Sequence, residues 1–570
     1  MKPMRGLSLI DVLVGTALSV VIFLALFGLL RASLLVSSLA KAKAGATAVA
    51  DSQMEYIRSL DYDSVGVAGG IPAGTIPQYA TTTLNSIPYG VRTLIEYYDD
   101  AKDGLGASDS NGITTDYRRI KIAITYYVRG KQYEVDVISN YAPPSIETTV
   151  NGGTLKVAVV NASGVAVSGA SVRVQNTSTS PTIDFTTFSD ITGSISLPGA
   201  PTSTQYQIAV SKAGYSSAQT YARDATNQNP NPGYFTVAKN QTTTGTFAID
   251  LLSSLTLRTF LPIATGTSTD SFPNSSNLSS MSNTVVSTGA VALSSVVGVY
   301  STSGTAVSTT TAPTYLASWT SASATESKPA STDILVRVVD SSGTPLSETD
   351  LPGNSAGFTT FPINLSTVST TTYPSLALSA TLTTSDTTVT PQLQDWALVY
   401  KAGPTPVPNV AFTLTGAKTT GSTGAGAAIY KTNVSNTTDS TGSRTMSLEW
   451  DSYKLGLTSN DVIDACTPPP YALTPGVSYD QSLYLGTATT NRALISVRDN
   501  AGNVVPGASV TLARTGFTQT VTTSNCGTAY FGGVTSATNY TVTISKSGYT
   551  TSTYTNVSVS GQTFYAASFP

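Results

Sequence analysis

The chain has 570 residues, a formal net charge of −3 and only 11% charged residues, whereas 40% are hydrophobic. This length exceeds what one hydrophobic core supports, so the sequence predicts several domains. Histidine is absent, which excludes Ser-His-Asp and Cys-His catalysis and zinc sites built with histidine. Lysine and arginine are scattered along the chain, with Arg118-Arg119 as the one adjacent pair, so we predict no nucleic-acid-binding patch. We also expect a protein that is not an enzyme.

The N-terminal segment combines a short basic leader, which ends at Gly6, with a long apolar run. Residues 12–30 are apolar apart from two glycines, one threonine and one serine. At ~1.5 Å per residue, a helix of this length can cross a bilayer. A carboxylate at its start, Asp11, is costly there without a cationic partner. A secretory signal fits poorly, because Arg31 follows where a small-residue cleavage site is expected.

This segment resembles the N-terminus of type IV prepilins and type II secretion pseudopilins. In that family a prepilin peptidase cuts after the glycine, the new N-terminus is methylated, and an acid at the fifth mature position pairs with a neighbouring pilin subunit. The resemblance implies cleavage and methylation at Gly6 and Leu7, and an assembly contact at Asp11. The family prefers phenylalanine where Leu7 stands and glutamate where Asp11 stands. A plain uncleaved membrane anchor is the alternative.

Beyond the apolar run the helical pattern continues, and a sheet follows. Ala46, Ala50, Met54 and Ile57 recur at helical spacing. Alternating apolar residues before and after a turn at 129–131 predict an antiparallel hairpin, with a partner strand at 91–97. The predicted fold is a leader at 1–6, a long N-terminal membrane helix at 7–60 and an α+β pilin-type head at 61–147.

An internal repeat occupies much of the remaining chain. Two copies carry the sequence Gly-Ala-Ser-Val, at 169–172 and 507–510, and later Lys-x-Gly-Tyr, at 212–215 and 546–549. A looser copy begins at residue 408. These copies resemble carboxypeptidase-regulatory-like domains, of the CnaB and transthyretin-like type. The resemblance implies Ig-like β-sandwiches that act as spacers or adhesive modules without catalysis.

Residues 253–403 differ from the repeats, and residues 390–396 resemble the closing strand of jelly-roll domains from large surface proteins. Some such domains bind carbohydrate, so Trp319 or Trp396 could stack on a sugar. Core positions for both tryptophans are the preferred interpretation, because both lie in apolar alternation. The predicted division of this all-β part is four sandwiches, at 148–252, 253–403, 404–489 and 490–570.

Three groups of residues could carry chemistry. Acidic residues crowd a head loop, and calcium takes roughly six to eight oxygen ligands on such loops; hydrated Asx turns are the alternative. Cys466 and Cys526 predict one disulfide in an exported protein, with two buried thiols as the alternative. Glu449 and Asp451 lie close in sequence, but chance placement explains them better than a glycosidase pair. The candidate calcium ligands are Asp99, Asp100, Asp103, Asp109 and Asp116.

Together these features predict a large minor type IV pilin that is made in the cytoplasmic membrane and then displayed on the cell surface or pilus. Its expected partners are the prepilin peptidase, the membrane, other pilin subunits and a glycan or host-cell ligand. The one cofactor for which the sequence offers a candidate site is calcium, in the head loop. The alternatives are a membrane-anchored surface binding protein outside any filament, and a surface glycan hydrolase that uses only carboxylates.

Overall fold

The structure is a computed structural model that describes residues 9–104, 108, 110, 112–144 and 151–570. In this part of the chain, one N-terminal apolar helix is followed by many sheets of β-sandwich type, and about 51% of the residues lie in strands. A composition rich in threonine, valine and tyrosine favours strands. The expected run of β-sandwiches is therefore confirmed.

Helix α1, Leu9–Arg58, changes its environment along its length. Its first part exposes apolar side chains, whereas its later part packs on the chain's own sheet. The contact is close: a Cβ at Gly45 would lie 2.2 Å from Tyr89 Oη, and this hydroxyl donates to Ala42 O at 3.0 Å. The buried helical side chains have the predicted spacing: Ala42, Ala46, Ala50, Met54 and Ile57.

The sheet under the helix has four antiparallel strands. They are β1 (Tyr79–Leu84), β2 (Ile87–Tyr98), β3 (Tyr117–Val128) and β4 (Lys131–Tyr141), and a 3-10 turn, Tyr62–Ser64, precedes them. Strand β3 pairs with both β2 and β4, so the predicted hairpin and its partner strand are confirmed. Ile120, Ile122 and Ile124 of β3 are fully buried in the core shared with the helix.

The first sandwich follows at residues 151–252. Its strands are β5 (Gly152–Val160), β6 (Ser171–Asn176), β7 (Ile183–Phe188), β8 (Ser194–Pro201), β9 (Ser203–Ser211), β10 (Ala218–Gln219), β11 (Asn229–Pro230), β12 (Phe235–Val237) and β13 (Thr242–Ala248). One sheet has the order β13-β5-β8 and the other contains β10-β9-β6-β7. Strand β5 therefore lies between the parallel last strand and the antiparallel β8.

Two interleaved units occupy the next part of the chain. After β14 (Ser253–Leu261), the inserted domain, residues 264–402, contains β15 (Ala264–Asp270), β16 (Leu278–Ser282), β17 (Thr284–Ser287), β18 (Ala290–Leu293), β19 (Ser295–Val296), β20 (Val299–Tyr300), β21 (Ser303–Ser308), β22 (Leu316–Ser327), β23 (Thr332–Val339), β24 (Ile363–Asn364), β25 (Ala377–Thr384) and β26 (Gln392–Ala402). The second sandwich then continues through β27 (Thr405–Pro406), β28 (Ala411–Gly416), β29 (Thr419–Ser422), β30 (Ala428–Tyr430), β31 (Asn433–Thr437), β32 (Ser443–Leu448), β33 (Ser452–Leu457), β34 (Asn460–Asp464), β35 (Tyr471–Ala472) and β36 (Ser478–Thr487).

The third sandwich has the same arrangement as the first. Its strands are β37 (Arg492–Arg498), β38 (Ser509–Arg514), β39 (Phe517–Thr522), β40 (Thr528–Gly532), β41 (Ala537–Ser545), β42 (Ser552–Val559) and β43 (Gln562–Ser568). Strand β37 lies between β43, to which it is parallel, and β40, to which it is antiparallel. The first and third sandwiches thus share the position of their first strand.

The pairing of β14 makes it the first strand of the second sandwich. It runs parallel to β36 and antiparallel to β32, which repeats the surroundings of β5 and β37. Leu255 and Leu257 of β14 accordingly lie in one core with Leu414 of β28. The structure therefore differs from the predicted unit 253–403, because its first strand completes the sandwich predicted at 404–489.

The inserted domain stands in place of a short turn. Residues 161–165 and 499–503 form turns in the first and third sandwiches, each closed by a bridge between the flanking residues. In the second sandwich the equivalent pair is Leu261 and Thr405, so residues 262–404 replace the turn. A chain that leaves and re-enters at adjacent strand ends disturbs the host sandwich little.

The inserted domain has its own core, which contains both tryptophans. Trp319 and Trp396 are 1% and 2% exposed. Trp319 Nε1 donates to Tyr373 O at 2.9 Å, and Trp396 meets Phe272 edge-on, with ring centroids 5.4 Å apart. The preferred interpretation of both as core residues is confirmed.

Candidate assembly helix and display domains

A large apolar surface is exposed on the first part of α1. Leucine, valine, isoleucine and phenylalanine side chains are exposed from Leu9 to Val36, including five consecutive positions at 20–24 and thus every face of the helix. The hydroxyls of Thr16 and Ser19 donate to carbonyls of the preceding turn, at 2.9 and 2.8 Å, so they are satisfied without water. In the described part of the chain this is the one helix long and apolar enough to cross a membrane.

The predicted processing site precedes this surface. Gly6 and Leu7 lie outside the described residues, and Asp11 lies in α1 with a side chain that the structure does not describe. Cleavage, methylation and the assembly contact therefore stay predictions.

The candidate calcium ligands lie between β2 and β3. Asp116 accepts a hydrogen bond from the N–H of Asp100, and Asp100 accepts one from the backbone two residues on, at 3.3 Å, as in an Asx turn. Asp99 and Asp103 share this loop, whereas Asp109 lies outside the described residues. Among the residues described, no three histidine, cysteine or acidic side chains are grouped so that they could hold a metal ion. Calcium binding stays a prediction.

The two cysteines are joined in the structure. Their Cα atoms are 4.3 Å apart. Cys466 follows β34 and Cys526 lies in the turn before β40, so the bond connects the second sandwich to the third. Arg498 Nη2 also donates to Cys466 O at 2.9 Å. The disulfide is thus a link between domains.

A buried polar network, which no local sequence pattern predicted, lies at the same junction. Arg492 Nε lies 2.7 Å from Oδ1 of the fully buried Asp461. Oδ2 of this aspartate accepts hydrogen bonds from Tyr530 and from Thr489 Oγ1, and burial raises the pKa of Tyr530 to about 12. Arg492 also donates to Gln562 Oε1 at 3.0 Å. We expect such a network to favour one relative orientation of the two sandwiches.

The first and second sandwiches meet at a buried carboxylate. Glu449, whose side chain is 7% exposed, lies 3.1 Å from Lys418 Nζ and 2.9 Å from Lys431 Nζ. Lys431 also donates to Ser217 O of the first sandwich at 2.7 Å, and burial lowers the pKa of Lys418. Strand β11 pairs with β29 across the junction. Glu449 is therefore engaged in a contact between domains, which leaves it poorly placed to act as a glycosidase acid.

The helix and its sheet are joined to the first sandwich in a similar way. Gln78 exchanges two hydrogen bonds with the backbone of Thr186, at 2.6 and 3.0 Å. Glu96 Oε1 accepts from Thr187 Oγ1 at 3.0 Å, and burial raises the pKa of this glutamate. Ile71 lies in the core of the first sandwich. The helix with its sheet and the first, second and third sandwiches are therefore each joined to the next by direct contacts. We call these four units the axial modules, or the axis.

The inserted domain is attached differently. Its two chain segments enter as one antiparallel pair, with Leu261 opposite Thr405 and Ala264 opposite Ala402. Outside this two-chain neck, no hydrogen bond, strand pairing or ion pair between described residues joins residues 264–402 to another module. The inserted domain is therefore a branch: it is attached to the second sandwich through its neck and does not connect two axial modules.

A polar groove of about 340 Å³ opens on this branch. Serine and threonine side chains, Asn277 and Asp270 contribute to its walls. Asp270 is 6% exposed; its Oδ1 accepts from the N–H of Phe272 at 2.9 Å, and its Oδ2 has no hydrogen-bond partner among the described residues. Hydroxyls and a carboxylate together suit a ligand with several hydroxyl groups.

The repeated Lys-x-Gly-Tyr sequence has a structural role. Lys212 Nζ donates to Ser168 O at 2.8 Å, and Lys546 Nζ donates to Pro506 O at 2.6 Å. Each lysine thus ties the end of a late strand to the turn before an early one. This shared contact explains why the two copies carry the same residues.

Three solved structures show distant similarity to the chain. The Bacillus anthracis TIE protein is 11% identical over 86% of this chain and 73% of its own, with a TM-score of 0.16. BcpA, the major pilin subunit of Bacillus cereus, is 11% identical over 73% of this chain and 99% of its own, with a TM-score of 0.13. The shaft pilin SpaA from Lactobacillus rhamnosus GG is 12% identical over 30% and 87%, with a TM-score of 0.12. At such TM-scores these similarities carry no argument about function.

A family match in sequence covers one domain. No curated protein matches the chain. Residues 495–569 match the family of the carboxypeptidase regulatory-like domain. This match confirms the resemblance predicted for the last repeat, and the third sandwich is therefore similar to carboxypeptidase regulatory-like domains.

Proposed function

We propose that this chain is a large minor type IV pilin, which assembles through α1 and displays its sandwiches at the cell surface. The observation that carries the proposal is the change along the helix: apolar side chains are exposed from Leu9 to Val36, and packing on the chain's own sheet begins near Ala42. The exposed part is ~40 Å long, more than the ~30 Å of a bilayer core. It can therefore be covered first by lipid and then by neighbouring helices. The four-stranded sheet beside it supports a pilin-type head.

The N-terminal motif supplies the steps of assembly. In this proposal a prepilin peptidase cuts between Gly6 and Leu7 while the helix lies in the cytoplasmic membrane. Asp11 then pairs with the N-terminus of a neighbouring pilin subunit, because a carboxylate in an apolar setting requires a cationic partner.

The remaining modules form the displayed part. The interlocked sandwiches hold the inserted domain away from the filament, and their bulk favours a tip or sparse position. The groove beside Asp270 is the place where we propose contact with a glycan of a cell surface. We propose no catalytic role, since the sequence lacks histidine.

N-terminal mass spectrometry of the protein from its native cells tests this proposal. We expect a methylated Leu7 at the N-terminus, and recovery of the protein with sheared surface filaments. The variant Gly6→Val should keep its leader and stay in the membrane. Gly15→Ala is the matched control, because a Cβ at Gly15 meets no atom within 4 Å. An intact N-terminus on wild-type protein at the surface would favour the alternative, a membrane-anchored binding protein outside any filament.

A further inference from the structure

A groove of about 470 Å³ lies between α1 and the tip of the β3–β4 hairpin. Arg31 and Leu35 line it from the helix, and Arg129 and Lys131 line it from the hairpin. The hairpin turn is tight because Arg129 and Gly130 both have positive φ, 51° and 81°, as in two-residue type I′ turns. This turn places the cationic side chains of Arg129 and Lys131 opposite Arg31 of the helix.

The charge of the groove is entirely positive. Among the residues that the structure describes, no acidic one lines it, and the sequence of α1 contains no acid between Val12 and Ala50. The acids of β4, Glu134 and Asp136, alternate with Lys131 and Tyr133 and so lie on the other face of the strand, where Asp136 is 2.6 Å from Lys121. Among the described ion pairs, none includes Arg31, Arg129 or Lys131. Three exposed cations therefore converge without a counter-charge.

The groove also lies where the apolar run ends. Phe27, Leu30 and Leu34 form an apolar surface next to Arg31. Tyr127, near the hairpin tip, is 61% exposed. Aromatic and cationic side chains at the end of a membrane-spanning segment lie at the depth of lipid headgroups. With α1 inserted in a membrane, the cations of the groove would lie at the level of lipid phosphate and its apolar neighbours at the level of the acyl chains.

We infer that this groove binds the phosphate of an anionic lipid headgroup and holds the head against the membrane before assembly. The inference rests on the proposed membrane insertion of α1. Guanidinium groups bind phosphate with paired, charge-assisted hydrogen bonds, and cations next to a membrane segment attract anionic lipid. A headgroup is the expected occupant because apolar side chains for its acyl chains adjoin the cations.

The test uses the full chain in lipid nanodiscs that contain phosphatidylcholine with or without phosphatidylglycerol. Native mass spectrometry counts the phosphatidylglycerol molecules that stay bound as its content is titrated. We expect preferential retention by the wild type, weakened about 25-fold by Arg129→Gln with Lys131→Gln, at roughly 5-fold per cation. The matched control is Arg223→Gln with Lys239→Gln, two exposed cations of the first sandwich.

Equal retention by the wild type and both double variants would overturn the inference. Displacement of the lipid by millimolar inorganic phosphate would also overturn it, since the site would then be one for free phosphate. Co-elution of the chain with nanodiscs is scored separately. A chain that does not enter nanodiscs contradicts both this inference and the membrane step of the proposed function, whereas insertion without lipid preference contradicts the inference alone.

Discussion

The junction between the second and third sandwiches and the neck of the inserted domain join complete β-sandwiches in opposite ways. The junction contains a disulfide and the buried Asp461–Arg492 pair, whereas the neck consists of two paired chain segments. The inserted domain has a core of its own, whereas the core of the second sandwich includes Leu494 of the third sandwich and is packed by Tyr530 and Phe564. The difference shows that the axial modules are coupled through shared core residues as well as polar contacts, whereas the inserted domain is joined through paired backbone. We expect the axial modules to move as one body and the branch to reorient.

Breaking the buried pair should have the largest effect. Asp461→Ala leaves Arg492 buried without a counter-charge, which costs about 3–5 kcal/mol. We expect faster amide hydrogen exchange in β34 and β37 of the full chain, and no change in β26. The control Asp480→Ala removes the exposed pair with Arg258, at 2.9 Å, and should leave exchange unchanged. Equal effects of the two variants would contradict the proposed coupling.

Removing the disulfide should have the next largest effect. Replacement of Cys466 and Cys526 by alanine frees a loop with a sequence separation of 60 residues, and we expect a loss of roughly 2–4 kcal/mol in the third sandwich. The orientation should persist because the Asp461 network remains. Unfolding of the full chain, followed by exchange in β40, measures the loss. Alkylation of the unreduced wild type at both cysteines would show that the link is absent.

A change in the neck should have a smaller and local effect. Gly403 has φ +119°, and a Cβ there would lie 3.0 Å from Ile263 Cα. Gly403→Ala should cost about 1–3 kcal/mol and speed exchange at the ends of β15 and β26 without affecting β37. Gly456→Ala is the control, since its nearest neighbour is 4.0 Å away. An effect that reached the third sandwich would show that the branch is coupled to the axis.

The smallest effect concerns a turn that the first and third sandwiches share. Asp499 Oδ1 accepts from the N–H groups of Ala501 and Asn503, at 3.0 and 2.8 Å, and the Asn503 side chain holds the pKa of Asp499 below its usual value. The ionised form therefore stabilises the fold above about pH 4, and this contribution is lost as pH falls through the lowered pKa. Asn161 occupies the same position in the first sandwich, with both hydrogen bonds at 2.9 Å.

Asp499→Asn should therefore leave stability at pH 7 nearly unchanged and reduce the loss on acidification. Asp499→Ala, which loses the acceptor as well, should destabilise the turn at both pH values. Acid titrations of the full-length variants, followed by exchange in β37, distinguish these outcomes. A steeper loss of stability in Asp499→Asn than in the wild type would show that the sign of the effect is wrong.

Local sequence patterns predicted the parts of the fold that depend on local spacing. The buried face of α1 follows from Ala46, Ala50 and Met54, because helical period alone decides which side chains share a face. The turns and Lys-x-Gly-Tyr sequences likewise identified the first and third sandwiches. The split of the second sandwich was missed, because β14 pairs with strands that lie far away in sequence. The alternation at Leu255 and Leu257 was the available signal, since it matches that of β5.

Local sequence patterns could not predict the contacts between modules. In the sequence, Asp461 and Arg492 look like ordinary solvated residues. Only the fold shows that they are buried together. The two cysteines could be paired from composition and expected export, but the sequence did not show that they connect two domains. Processing at Gly6 and Leu7 and assembly through Asp11 remain predictions from resemblance.

Replacing residues 262–404 by the five-residue sequence of 161–165 tests most directly whether the inserted domain is a branch. We predict that the shortened chain keeps slow amide exchange in β36, the strand beside β14. Deletion of residues 253–403, the unit predicted from its difference from the repeats, removes β14 as well and should make that exchange fast. Loss of protection in β36 after the five-residue replacement would contradict the account.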